Sequence, residues 1–254
     1  MKMIKLFNIF IIMLCVVVFF PYTKTIYIFG ITTTCFILLL YTLLNERVSI
    51  FRMPLVVVFI ISLAKAASAI LDYDYPVDAI IVFAPLLLYW ILSQRSLLKQ
   101  WFCKVPADNW LVYFAIYSFL AVVALFTWTI FSDNQPQLIN IYGESIWKLI
   151  WIGAVFSIVN SLYEEFLFRG CIFSALLRSN GVIVAMLVQA ITFATIHFVA
   201  GVPNGIAGFL LAFAYGLLMG HLFIKGKSLW PCIFSHIVCD ISVFIIILRS
   251  QQYA

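Results

Sequence analysis

The chain has 254 residues, of which 65% are hydrophobic and 10% are charged, and its mean hydropathy is +1.14. Soluble domains are about 45–50% apolar, so the composition excludes that class and predicts a polytopic transmembrane helical bundle, an all-α fold. The net charge of +5 is explained by short basic loops that face anionic lipid, and it gives no support for nucleic-acid binding.

Apolar runs long enough to cross a bilayer recur along the whole chain. The candidate spans lie near 4–20, 25–44, 55–71, 110–131, 146–177, 182–200, 205–224 and 229–248, with a weaker one near 77–93. The first run follows two lysines but is long and lacks a small-residue cleavage site, so it is predicted to be a retained helix. The sequence therefore predicts eight to nine transmembrane helices.

Charges in the connecting loops predict how the chain is oriented. With the N-terminus inside, the outside segments hold only Lys24 and Arg249, with Lys148 near an outer helix end. The inside segments hold the other basic residues of the loops, Lys2, Lys5, Arg47, Arg52, Arg95, Lys99, Lys104, Arg178, Lys225 and Lys227. Lys and Arg are retained on the cytoplasmic side, so a multi-pass protein of a prokaryotic inner membrane with a cytoplasmic N-terminus is predicted. If the 77–93 segment is re-entrant, every later span is inverted.

The two parts of the chain differ in the ionisable groups that their spans contain. Residues 1–145 carry one such group deep in a span, Lys65, and are predicted to be accessory helices. Residues 146–254 carry Glu164, Glu165, Arg169, His197, His221, His236 and Asp240. Ionisable groups at bilayer depth cost at least about 2.5–3.5 kcal/mol each and are usually functional or paired. Any chemistry is therefore predicted in residues 146–254.

The first polar motif runs from Glu164 to Arg169 within a long apolar helix. Glu165 and Arg169 are four residues apart with the acid first, the favourable order for a helical ion pair. Glu164 lies about 100° around the helix and lacks that partner. A carboxylate in such a site can act as a general base. The alternatives are a buried packing network or the lining of a transport path.

The second motif places His197 on the next helix, four residues after Phe193. The turn signal at 178–181 lies midway between Glu164 and His197, so an antiparallel hairpin brings both to the same depth, roughly 20–25 Å from the turn. Phe193 lies on the same face as the imidazole and is predicted to pack against it. Read alone, His197 is more typical of a hydrogen bond between helices, and its pairing with Glu164 is what favours a catalytic role.

The third motif places His236 and Asp240 on one face of the last helix, where the carboxylate can orient the imidazole. Its alternative is a polar pair that joins two helices. His236 lies only about 11 Å from the preceding loop, so tilt or a kink at Pro231 is needed to match its depth to Glu164.

His221 follows the small-residue pattern Gly216-x-x-x-Gly220, which is typical of a close helix-packing face. It is predicted to lie at a helix interface, outside the catalytic site.

These three motifs together resemble those of the CAAX-protease and bacteriocin-processing (CPBP, or Abi) family of intramembrane proteases. That family, which includes the type II CAAX prenyl endopeptidases, has the signatures EExxxR, FxxxH and HxxxN or HxxxD in this order. The matching region is about 146–248. The resemblance implies that 146–254 is a catalytic core of that type.

The resemblance also implies a role for each matching residue. Glu164 and His197 match positions thought to activate a water for attack on the scissile carbonyl. His236 and Asp240 match positions held to stabilise the oxyanion, and Glu165, Arg169 and Phe193 match positions that shape the site. Asp240 departs from the Asn of many members. An ionised Asp cannot donate to an oxyanion, so Asp240 must be protonated or act through His236.

Two Glu and two His also form a plausible zinc ligand set, and the metal-dependent reading would use Glu164, His197 and His236. Catalytic zinc sites typically use three ligands, often in the compact pattern HExxH, which the chain lacks. The six cysteines include no CxxC pair, which argues against a thiolate site. No cofactor is therefore expected, and a glutamate-type peptidase is favoured over a zinc peptidase.

The resulting prediction is an endopeptidase that acts near the C-terminus, or in a membrane-associated segment, of a peptide or protein substrate. One alternative is a non-catalytic bacteriocin-immunity or scaffold protein of the same fold, although three intact motifs argue against it. Another is a proton-coupled transporter, but the sequence shows no inverted repeat. Nothing in the sequence selects between prenylated and other substrates.

Overall fold

The computed structural model describes residues 99, 101–102, 106, 109–131, 145–200, 202–203 and 205–251. The spans predicted near 4–20, 25–44, 55–71 and 77–93 lie outside the described residues, as does Lys65. The predicted total of eight to nine helices and the orientation of the N-terminus therefore stay predictions. Every regular element in the described ranges is helical, which agrees with the all-α prediction.

Six α-helices and one π-helical segment make up the described part of the chain. They are α1 Trp110–Phe131, α2 Ile146–Glu165, the π segment Phe166–Phe173, α3 Ser174–Asn180, α4 Val182–Ala200, α5 Gly205–Gly226 and α6 Trp230–Gln251. Four stretches are long and apolar enough to cross a membrane: Trp110–Ile130, Ile146–Arg178, Gly205–Gly226 and Trp230–Arg249. The shorter stretch Val182–Phe198 is also apolar. These stretches coincide with the last five predicted spans.

The helix that carries the first motif changes its winding in the middle of that motif. Ser145 caps the start of α2 by accepting a hydrogen bond from the backbone N–H of Lys148 at 3.3 Å. Glu165 ends α2, and the π segment begins at the next residue and leads directly into α3. Gly181, with φ of +84°, ends α3, which confirms the turn predicted at 178–181. π-Helical turns are frequent at functional sites.

The last helix, α6, is the centre of the described bundle. Buried residues make up 67% of its most apolar window, against 17% for α1 and for α2, whose outer faces carry exposed apolar side chains. Pro231 lies in the first turn of α6, where a missing N–H is tolerated, so the helix passes through it without a break. The kink considered at Pro231 is therefore not needed to place His236.

A face of small residues joins α4 and α5. A Cβ atom on Gly216 would lie 2.9 Å from the Cα of Ala190, and one on Gly220 would lie 2.7 Å from the Sδ of Met186. The side-chain amide of Gln189 also donates to the carbonyl of Gly216 at 2.7 Å. This close contact confirms the packing face predicted from Gly216-x-x-x-Gly220, and it fixes α4 beside α5.

Candidate active site

A fully buried ion pair lies where α2 meets the π segment. Arg169 Nη1 donates to Glu165 Oε1 at 2.8 Å, and both side chains are 0% exposed. The Arg169 guanidinium also lies 5.1 Å from the ring centre of Phe193 on α4. The ion pair predicted from the four-residue spacing is therefore present, and the aromatic ring covers the cation.

His236 on α6 lies among three carboxylates. Its Nδ1 is 2.7 Å from Glu165 Oε1, and because a carboxylate paired with a guanidinium only accepts hydrogen bonds, Nδ1 is the donor. Its Nε2 is 3.6 Å from Glu164 Oε2 and 3.6 Å from Asp240 Oδ1. Glu165 thus orients the ring and leaves Nε2 facing the other two acids.

Asp240 is anchored from α2 by two residues that the sequence analysis did not select. Its Oδ2 accepts hydrogen bonds from Ser161 Oγ at 2.9 Å and from Asn160 Nδ2 at 3.2 Å. A sequence signal for Ser161 does exist. Four fully buried polar residues recur at four-residue spacing along this helix, namely Ser157, Ser161, Glu165 and Arg169. A polar stripe of this kind in an apolar helix indicates a face turned towards a polar partner.

His197 approaches the same place from α4, but through its aromatic neighbour. The Phe193 ring packs against the His197 ring at 4.6 Å, as predicted, and lies 6.1 Å from the His236 ring. Within the described residues, no hydrogen bond or ion pair joins His197 to Glu164, whose carboxylate faces His236 instead. The His197 Nδ1 is buried without a hydrogen-bond partner among the described residues.

A cavity of about 310 Å³ lies beside these histidines, between α1, α4, α5 and α6. Its polar lining residues are His197, Tyr215, His236, Cys239 and Asp240. The rest of its wall is apolar and includes the small residues Ala121, Ala124, Ala212 and Ala214. The arrangement suits an apolar chain segment whose backbone carbonyl reaches the histidines at the polar end.

The third histidine lies away from the cavity. The Tyr117 hydroxyl is 2.7 Å from His221 Nδ1, and the Tyr113 ring meets the His221 ring edge-on at 5.6 Å. These contacts join α1 to the C-terminal end of α5. His221 therefore lies at a helix interface, in agreement with the sequence prediction.

The metal-dependent reading needs Glu164, His197 and His236 to converge on one point. In the described ranges, no group of three or more His, Cys, Asp or Glu side chains is arranged to hold a metal ion. His236 Nδ1 is bonded to Glu165, so only its Nε2 could bind a metal, and no hydrogen bond or ion pair joins Glu164 to His197 among the described residues. The side chains in this arrangement do not fit a three-ligand zinc site, so no step is derived through one.

Comparisons with known proteins support the resemblance carried by the motifs. Residues 146–242 match the family described as "Type II CAAX prenyl endopeptidase Rce1-like". A protein of Bacillus subtilis (strain 168) named "Putative membrane peptidase YdiL" is 26% identical over 120 residues. That match covers 47% of this chain and 44% of the relative, so it spans less than half of the relative's length. No solved structure matches the chain.

Proposed function

We propose that this chain is an intramembrane endopeptidase, because residues 146–242 match the type II CAAX prenyl endopeptidase family and the chain is similar to the protein named "Putative membrane peptidase YdiL". Its proposed substrate is a peptide or protein cleaved near the C-terminus or within a membrane-associated segment. The observation that carries the proposal is the position of His236, which lines the cavity with its Nε2 3.6 Å from both Glu164 and Asp240. Buried acids and an oriented imidazole beside a cavity are the groups that acid–base hydrolysis requires.

In the proposed reaction, Glu164 is the general base. It takes a proton from a water molecule while the water oxygen bonds to the scissile carbonyl carbon. Collapse of the tetrahedral intermediate breaks the C–N bond, and the proton passes from Glu164 to the leaving amine. His197 is proposed to orient the water through Nε2. The surroundings of Glu164 support this role, since its Oε2 is buried without a hydrogen-bond partner among the described residues and lies 3.6 Å from His236 Nε2.

His236 is proposed to stabilise the oxyanion. With Nδ1 donating to Glu165, a protonated ring keeps its Nε2–H free of a hydrogen bond, since Glu164 and Asp240 are 3.6 Å away, and His236 lines the cavity in which the oxyanion would form. Preorganised donors of this kind typically contribute about 10²–10³-fold to the rate. Arg169 and Phe193 are proposed to shape the site, because they hold Glu165 and the two imidazoles in place.

The cavity also supports a preference for apolar substrates. Its wall is mostly apolar, and small residues leave room for a large aliphatic or aromatic side chain next to the scissile bond. Burying an apolar side chain contributes about 1.5–3 kcal/mol to binding, whereas a charged side chain there would lose its hydration. The peptides tested first should therefore carry Leu, Ile or Phe at the cleavage site.

The test is cleavage of such membrane peptides by the purified chain in lipid vesicles. We expect Glu164→Gln and His197→Gln each to lower kcat by about 10²–10⁴-fold, because each removes a group that handles the proton or the water. We also expect a zinc chelator to leave the rate unchanged, since the proposed mechanism uses no metal.

Three results would redirect the proposal. Loss of activity with the chelator, restored by added zinc, would replace the glutamate-type mechanism with a metal-dependent one. Full activity of both variants would remove Glu164 and His197 from the mechanism. A folded wild-type chain that cleaves no peptide of its native membrane would favour the immunity or scaffold function.

A further inference from the structure

The side chain of Asp240 is held at one oxygen and open at the other. Ser161 Oγ and Asn160 Nδ2 both donate to Oδ2, at 2.9 and 3.2 Å, while Oδ1 is 3.6 Å from His236 Nε2. Ser161 is fully buried, and Asp240 is almost fully buried. A carboxyl oxygen that accepts two hydrogen bonds is not the oxygen that carries a proton. This geometry leaves Oδ1 as the oxygen that faces the imidazole.

We propose that Ser161 and Asn160 are positioning residues that fix the Asp240 carboxyl group beside His236 Nε2. This inference rests on the proposed function. Asp240 makes no direct contact with the oxyanion. Its Oδ1 lies 3.6 Å from the second ring nitrogen, beyond hydrogen-bond distance, so it pairs with the charge of the protonated imidazole while Glu165 holds the first nitrogen.

The residues of α2 that hold Asp240 lie one helical turn before the residue of α2 that holds His236. Asn160 and Ser161 lie four residues before Glu164 and Glu165, respectively, and therefore occupy the same helix face. The α2 and α6 helices approach closely below the site, where a Cβ on Gly153 would lie 2.6 Å from the Phe244 ring. The two donors therefore reach Asp240 without bending either helix.

The kinetic test is a double-mutant cycle on Ser161 and Asp240. We expect Ser161→Ala to lower kcat roughly 10-fold with KM unchanged, because the peptide does not touch Ser161. In an Asp240→Ala background, the same change should lower kcat by less than about twofold, because the carboxyl group that Ser161 positions is absent. Equal losses in both backgrounds would overturn the inference.

The chain offers a matched control at Ser157. This residue lies one turn earlier on the same face and is equally buried, but its hydroxyl has no hydrogen-bond partner among the described residues. Ser157→Ala removes the same atom from the same helix without touching Asp240. It should leave kcat unchanged, and a loss equal to that of Ser161→Ala would show a general packing effect.

A second measurement requires no turnover and so separates this inference from the proposed function. The whole chain has three histidines, so ¹⁵N-labelled histidine gives three ring spin systems, which single-histidine variants assign. Ser161→Ala and Asn160→Ala should each shift the His236 Nε2 signal and leave those of His197 and His221 in place. Ser157→Ala should move none of them. An unmoved His236 signal in Ser161→Ala would overturn the inference, even if the wild type proves to be a peptidase.

Discussion

The described helices hold two polar clusters, and histidine occupies a different environment in each. The His236 side chain is 4% exposed and lies within 3.6 Å of Glu164, Glu165 and Asp240. His221 is half-buried, and its hydrogen bond and ring contacts within the described helices are with two tyrosines, at one end of α1 and α5. The first cluster lies against a cavity, and the second joins two helices. Histidine in a membrane helix is therefore not itself a sign of chemistry, which depends on its charged neighbours and on space for a substrate.

The two clusters also differ in how their polar groups are satisfied. An uncompensated charge in the interior is costly, so the His236 cluster depends on pairing between Glu165, Arg169 and the imidazole. The pair formed by Tyr117 and His221 is held by one neutral hydrogen bond, worth about 0.5–1.5 kcal/mol. Breaking the two clusters should therefore have effects of very different size.

The largest change in stability is expected when the buried ion pair loses one member. Arg169→Met leaves the Glu165 carboxylate without its cation and should lower the free energy of unfolding by about 3–5 kcal/mol. The double variant Glu165→Gln/Arg169→Met removes both charges and should be more stable than Arg169→Met alone. Denaturation in detergent micelles measures both. A double variant less stable than the single one would contradict the account of a charge-paired cluster.

A smaller loss is expected where α4 packs against α5. Gly216→Leu places its side chain against the backbone of Ala190 and should lower the free energy of unfolding by about 1–3 kcal/mol. It should also lower peptidase activity, because α4 carries Phe193 and His197. Ala207→Leu, on the exposed face of the same helix, is the matched control and should do neither. Equal effects of the two changes would show that the close contact is unimportant.

The smallest effect is expected in the second cluster. His221→Gln and Tyr117→Phe each remove one end of the same neutral hydrogen bond, so each should lower the free energy of unfolding by about 0.5–1.5 kcal/mol. Because the two changes break one bond, the double variant should lose little more than either single variant. Additive losses, measured by the same denaturation, would show that the two side chains stabilise the protein separately.

Hydropathy predicted the described helices well because long apolar runs are a strong signal. The span predicted at 110–131 is helix α1, and those predicted near 205–224 and 229–248 agree with α5 and α6 to within about three residues. Side-chain pairs at four-residue spacing could be predicted equally well, because a helix alone brings such residues into contact. Glu165 and Arg169 are the clearest case.

Contacts between helices could not be predicted as well. The predicted match in depth between Glu164 and His197 assumed regular α-helix from the turn to Glu164, whereas the π segment Phe166–Phe173 lies between the turn and Glu164. The match in depth stays a prediction, and the sequence did not predict that the Glu164 carboxylate lies 3.6 Å from His236 Nε2. The hydrogen bonds from Asn160 and Ser161 to Asp240 depend on how α2 packs against α6, which no local pattern encodes.

The central claim is that His236 and its carboxylates are the catalytic cluster, whereas His221 is structural. The most direct test measures kcat for one apolar membrane peptide in lipid vesicles with the wild type, His236→Gln and His221→Gln. We expect His236→Gln to lose about 10²-fold or more in kcat, because the oxyanion loses its donor, and His221→Gln to stay within about twofold of the wild type. Equal activity of the two variants, or a greater loss in His221→Gln, would contradict the claim.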